Sequence, residues 1–248
     1  TMLDAGCASR LILSARSTRV PHEGQDLETR LHLLDATVAI VASDSACVHD
    51  VQALIGSTSF LAGVLHAAGV GEKGLIRQVE AGRVNWVYGP KAVGGWHLQC
   101  ATAMVPLDIR MLFSSVASGL GNVGQASYAA SNSCLDASAF TCRLHGVPMF
   151  SVQWPLVEGA GMGEAAKLAR GERQVQVAGL ASMTLEDYVA CLKQSISVCR
   201  GAALVLQLPH CPDVRQLLQD LADSSQSRFA ELRATVKSEA AAPGKTCL

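Results

Sequence analysis

Six short apolar runs, separated by helical stripes and turn residues, constrain this 248-residue chain more than any other feature. They are Arg10-Leu-Ile-Leu-Ser-Ala, Thr37-Val-Ala-Ile-Val-Ala-Ser, Leu61-Ala-Gly-Val-Leu-His, Ile109 to Ser114, Val147 to Gln153 and Ala202 to Leu206. Runs of this length, rich in Val, Ile and Leu, read as buried strands. Between them the spacing predicts helices: Gln25 to Asp35, with Leu27, Leu31 and Leu34 on one stripe, then Ala46 to Ile55, a long region from Leu75 to Met104, Gln125 to His145, and Leu185 to Val198, with Val214 to Leu221 closing the series. Repeated strand–helix units predict an α/β, doubly wound parallel sheet.

Three stretches depart from that rhythm. The long helical region is interrupted at Gly89-Pro90, because proline cannot continue a helix without a kink or break. The glycine-rich loop from Pro155 to Gly163 predicts a mobile lid. From Ala222 the chain turns small and polar, through Ser224-Ser-Gln-Ser to Ala240-Ala-Ala-Pro-Gly-Lys, which predicts a linker or disordered tail over 222–248 and a folded domain over 1–221.

Bulk properties exclude several classes of partner. A net charge of −1 argues against nucleic acid and against anionic membrane surfaces. No run of about 20 apolar residues exists, so no membrane span is expected. Thr1-Met-Leu-Asp-Ala-Gly lacks the basic start and apolar run of a signal peptide and reads as a helix end, with Gly6 suited to a C-cap. The nine cysteines form no C-x-x-C pair and no His/Cys cluster. They are expected as buried thiols in a reducing compartment, with no metal site.

The chemistry concentrates in Leu112-Phe-Ser-Ser-Val-Ala-Ser-Gly-Leu-Gly-Asn-Val-Gly-Gln-Ala-Ser-Tyr128-Ala-Ala-Ser-Asn132. It reads as a strand ending in two serines, a glycine-rich loop, and a helix on which Tyr128 and Asn132, four apart, share a face. A strand-end hydroxyl, a phenol and an amide meeting at one sheet edge can polarise a carbonyl and give it a proton. Taken singly, the tyrosine would be a packing residue and the serine a cap.

With Ser115 ahead of Tyr128 and Asn132 behind it, the chain resembles the short-chain dehydrogenase/reductase superfamily. It is most similar to the ketoreductase (KR) domains of polyketide and fatty acid synthases. Ordinary members carry a lysine four residues after the tyrosine, where this chain has Asn132. The synthase ketoreductases take that lysine from the preceding long helix, and Lys91 in Gly89-Pro-Lys-Ala-Val-Gly-Gly matches it. The resemblance implies that Tyr128 supplies the proton and Ser115 donates a second hydrogen bond to the carbonyl. It further implies that Lys91 lowers the phenol's pKa and that Asn132 holds a water or the lysine in a proton relay.

It implies cofactor contacts as well. His66, Ala67, Ala68 and Gly69 match the strand-end motif that lets backbone approach the cofactor's ribose, and Asp44 matches the acidic residue near the adenine. Arg16 matches the basic residue that meets a 2′-phosphate, so NADPH is preferred. The implied activity is NADPH-dependent reduction of a β-ketoacyl thioester to the β-hydroxyacyl thioester, in a multidomain polyketide or fatty acid synthase. Its partners would be an acyl carrier protein bearing the substrate on phosphopantetheine and the neighbouring synthase domains, in a cytoplasmic or organellar compartment. The alternative is a catalytically silent domain kept as scaffold or docking surface. A stand-alone reductase is disfavoured by Asn132.

The chain departs from the family at four points. No G-x-G-x-x-G turn accompanies the first strand; Gly119-Leu-Gly-Asn-Val-Gly belongs to the loop before Tyr128. The match begins where the family's first helix ends, so its opening strand and glycine-rich loop are expected upstream of Thr1, leaving the sheet without a central strand. Gly71-Glu-Lys replaces one product class's Leu-Asp-Asp, and Leu120 stands where the other has tryptophan, so neither hand of the alcohol is implied. Pro155 replaces the usual glycine after Trp154.

Overall fold

Among the described residues every strand pairs in parallel, so each connection must cross over rather than turn back. The computed structural model describes residues 9–18, 38–71, 74–159, 177–198, 205–207 and 211–241. Strands β1 (Leu11–Ala15) and β2 (Val38–Ala42) form one sheet, with Leu11 opposite Val38 and Ala15 opposite Ala42. Strands β3 (Gly63–His66), β4 (Ile109–Ser115), β5 (Phe150–Trp154) and β6 (Val205–Gln207) form a second, in that order. The two share no ladder among the described residues, and the division between β1–β2 and β3 fits the expectation of a sheet without a central strand.

Helix α1 (Val48–Gly56) packs against a longer helical rod and links the two sheets. That rod is α2 (Ala81–Tyr88), a π-helical turn (Gly89–Val93) and α3 (Gly94–Ala101) in unbroken succession. Pro90 therefore does not end the helix as expected. The widened turn absorbs its missing N–H, and the Ser45 hydroxyl donates to the Pro90 carbonyl at 3.1 Å.

The four-stranded sheet is covered on both faces. Met111, Phe150, Val152 and Trp154 alternate onto the face packed by Ile196, Tyr188 and Leu192 of α6 (Leu185–Val198). Leu112 faces the other way, toward Leu135, Ala139 and Cys142 of α5 (Ala126–Leu144). The same alternation turns Ser114, Ser151 and Gln153 toward α5, so the layer under that helix is partly polar. Val147, expected in the fifth strand, instead caps α5: its N–H donates to the Cys142 carbonyl at 2.9 Å after Gly146 turns the chain at φ 76°.

Of the stretch read as a linker or tail, residues 222–241 are described. After α7 (Val214–Asp220) the chain forms a 3₁₀ turn (Ser227–Phe229) and α8 (Ala230–Ala241), which packs on α7. Phe229 is 4% exposed, and Leu232 joins a cluster of Val116, Leu180 and Leu217. Two well-placed apolar residues suffice to seat a helix whose composition is otherwise polar. Of the expected lid, Val157 bridges Met183, and the Glu158 N–H donates to the Met183 carbonyl at 2.9 Å. The expected helix at 25–35, the Gly6 cap and residues 160–163 of the lid lie outside the described residues. Among the described residues no helix is long and apolar enough to cross a membrane, and no metal-ligating cluster forms.

Candidate active site

Parallel pairing sends the C-terminal ends of β3 and β4 to one edge, where loops and helix starts collect the polar groups. Ser115 is the last residue of β4 and the N-cap of a short helix, α4 (Val116–Leu120); its Oγ accepts from the Ala117 N–H at 3.2 Å. An acceptor role toward backbone leaves its hydroxyl proton for another partner. Tyr128 stands one turn into α5, with Ser115 and Asn132 both acting on its phenol.

Asn132 is fully buried one turn further on. Its Nδ2 donates to the Tyr128 carbonyl at 2.8 Å, while Oδ1 is left without a hydrogen-bond partner among the described residues. A buried, unpaired amide oxygen costs about 1–3 kcal/mol, and such groups mark places where a water or ligand belongs.

Lys91 emerges from the π-helical turn into this layer and is 2% exposed. Its ammonium donates to the Phe113 carbonyl at 2.9 Å and lies 5.6 Å from the centre of the Tyr128 ring. Burial pushes its pKa down to about 8, against the opposing pull of the Asp136 carboxylate. The Tyr128 phenol is raised rather than lowered, because burial outweighs the hydrogen bonds from Ser115 and Asn132. The lowering expected from Lys91 is not seen in this arrangement, in which the cation faces the ring and a backbone carbonyl.

His66, at the end of β3, is buried, with Nε2 2.9 Å from the Lys91 carbonyl. A carbonyl only accepts, so Nε2 carries the proton. Burial brings the imidazole down to about 4, which keeps it neutral. Its observed work is to fix the turn that holds Lys91. Ala67, Ala68 and Gly69 continue from it along the edge, and a Cβ on Gly69 would lie 2.9 Å from Lys91 Cε. Arg16 is exposed just beyond β1. Asp44, beyond β2, uses Oδ1 to accept from the Ala46 N–H at 2.9 Å, opening the turn into α1.

Ser115, Lys91, Tyr128 and Asn132 thus come together, His66 and Gly69 abut Lys91, and Arg16 and Asp44 follow the ends of the other pair of strands. Sequence reasoning missed the layer beneath: Asp136, which accepts from Ser118, Ser151 and Gln153. The available signal was the alternation Phe150-Ser-Val-Gln-Trp, which puts two polar side chains on the face that meets α5.

The family model described as KR domain matches residues 1–159. The spectinabilin polyketide synthase system protein NorB of Streptomyces orinoci is 34% identical over 86% of this chain. A solved A1-type ketoreductase superposes with a TM-score of 0.79 at 25% identity, over 92% of this chain and 48% of its own. The first ketoreductase of the tylosin polyketide synthase gives 0.73 at 28% identity, over 91% and 49%. The chain spans only 10% of the spectinabilin protein's length. On these matches the chain belongs to the KR family, the ketoreductase domains of polyketide synthases within the short-chain dehydrogenase/reductase superfamily.

Proposed function

We propose that this chain catalyses the NADPH-dependent reduction of a β-ketoacyl thioester, held by an acyl carrier protein, to the β-hydroxyacyl thioester during polyketide assembly. The observation that carries the reading is the buried Lys91 ammonium 5.6 Å from the centre of the Tyr128 ring, with Asn132 one turn further along the same helix and Ser115 at the end of β4.

The residues present fit a nicotinamide cofactor. Small residues follow β3 at Ala67, Ala68 and Gly69, Arg16 and Asp44 follow the ends of β1 and β2, and the buried Oδ1 of Asn132 has no hydrogen-bond partner among the described residues. NADPH supplies the hydride when bound. The chain's own residues then serve the carbonyl oxygen. Ser115 donates a hydrogen bond to it, and Tyr128 delivers the proton that converts the developing alkoxide to the hydroxyl, so one hydride and one proton are added across the C=O bond. Asn132 accepts a water through Oδ1, and Lys91 stands behind the phenol to restore its proton.

The test is reduction of a simple β-keto thioester by the complete native polypeptide with NADPH or NADH as donor. Hydroxy-thioester formation with NADPH preferred by tenfold or more supports the reading. Binding of both nucleotides without turnover supports a silent scaffold instead.

A further inference from the structure

Asp136 lies two turns beyond Tyr128 and one turn beyond Asn132 on α5, and it is the meeting point of three elements. Its Oδ2 accepts from the Ser118 hydroxyl at 2.6 Å and from Gln153 Nε2 at 2.7 Å, and its Oδ1 accepts from the Ser151 hydroxyl at 2.6 Å. Ser118 belongs to α4, whose N-cap is Ser115, and its Oγ also lies 2.8 Å from the Ser115 carbonyl. Ser151 and Gln153 are buried on β5, beside β4. A charged acceptor with three short bonds holds its donors in place more firmly than neutral pairs do.

Through Ser118 the carboxylate reaches the segment that begins at Ser115, and through Ser151 and Gln153 it reaches β5, so one group on the helix of Tyr128 is fastened to both neighbours.

We infer that Asp136 is a positioning residue: it ties the helix bearing Tyr128 to the segment bearing Ser115 and to β5. This rests on the reading of Tyr128, Ser115 and Lys91 as the ketoreduction site. It assigns the polar layer under α5 to the chemistry rather than to packing.

The experiment compares Asp136→Asn and Ser118→Ala in the complete native polypeptide, measuring kcat and KM of β-keto thioester reduction beside the urea midpoint. Asp136→Asn is expected to lower kcat about tenfold or more with KM within about twofold. Ser118→Ala, which cuts only the tie to the segment of Ser115, is expected to lower kcat about threefold or more with the urea midpoint little changed. Parent-like kcat in Asp136→Asn overturns the inference. If Asp136→Asn fails to fold, Ser118→Ala decides: parent-like kcat in it overturns the inference.

A readout independent of turnover separates this from the functional reading. Amide hydrogen exchange of residues 116–120, followed by mass spectrometry, should speed up about tenfold in Ser118→Ala. Unchanged exchange overturns the tie even if the protein proves inactive, while faster exchange in an inactive parent sinks only the ketoreductase reading.

Discussion

Lys91 lies against the ring of Tyr128, its Nζ 5.6 Å from the ring centre, and spends its hydrogen bond on the Phe113 carbonyl at 2.9 Å. The cation is thereby stored in a dry layer. Burial lowers its pKa from 10.5 to about 8, so between those values the unfolded chain binds the proton more tightly than the native state does. Stability therefore rises with pH through that window, and the full penalty, about 3 kcal/mol, is present below it. Lys91→Met removes the charge at similar length and forgoes one hydrogen bond of about 1 kcal/mol. It is expected to unfold at higher urea than the parent at pH 7, to lose the rise above pH 8, and to lose turnover. A lower urea midpoint at pH 7 would contradict the buried-charge account.

His66 makes the opposite end of the pH range sensitive. Its pKa is brought from 6.5 to about 4 by burial, so on acidification the unfolded chain takes up the proton first. Stability is lost as pH falls from about 6.5 to 4. His66→Gln can still donate to the Lys91 carbonyl and does not titrate. Thermal melts of the variant should lose less stability over that window than the parent, by about 2–3 kcal/mol.

Gly69 leaves no room for a side chain beside Lys91. A Cβ there would sit 2.9 Å from Cε and 3.4 Å from Nζ, so the lysine must shift. Gly69→Ala is expected to lower kcat about tenfold at a stability cost of only about 1 kcal/mol. Kinetics and denaturation on the same preparation separate the two effects; unaltered kcat would mean that the position of the ammonium is not critical.

The C-terminal segment carries its own test. Phe229 is buried although its neighbours in sequence are polar. Phe229→Ala should cost about 3 kcal/mol in urea unfolding. A change within error would return the segment to the status of a tail.

Much of the architecture could be read from residue spacing. The helix Leu185–Val198 falls where the stripe predicted it, the strands from Leu11, Val38 and Gly63 lie within the apolar runs, and those from Ile109 and Phe150 end one residue past theirs. Tyr128 and Asn132 share a face because helical geometry requires it, and Ser115 is in reach because it ends the neighbouring strand. Three features were hidden. The π-helical turn depends on how Pro90 is accommodated, which tertiary packing decides. Helix α8 depends on Phe229 and Leu232 finding partners far away in sequence. Asp136 reads as a surface acid until α5 is laid over Ser151 and Gln153.

The central claim is that the Tyr128 phenol delivers the proton to the carbonyl. The most direct measurement is hydroxy-thioester formation by the complete native polypeptide carrying Tyr128→Phe, which keeps the ring against Lys91 and removes one oxygen. The account predicts a fall of about a hundredfold or more in kcat with NADPH binding preserved. Turnover within about threefold of the parent would contradict it.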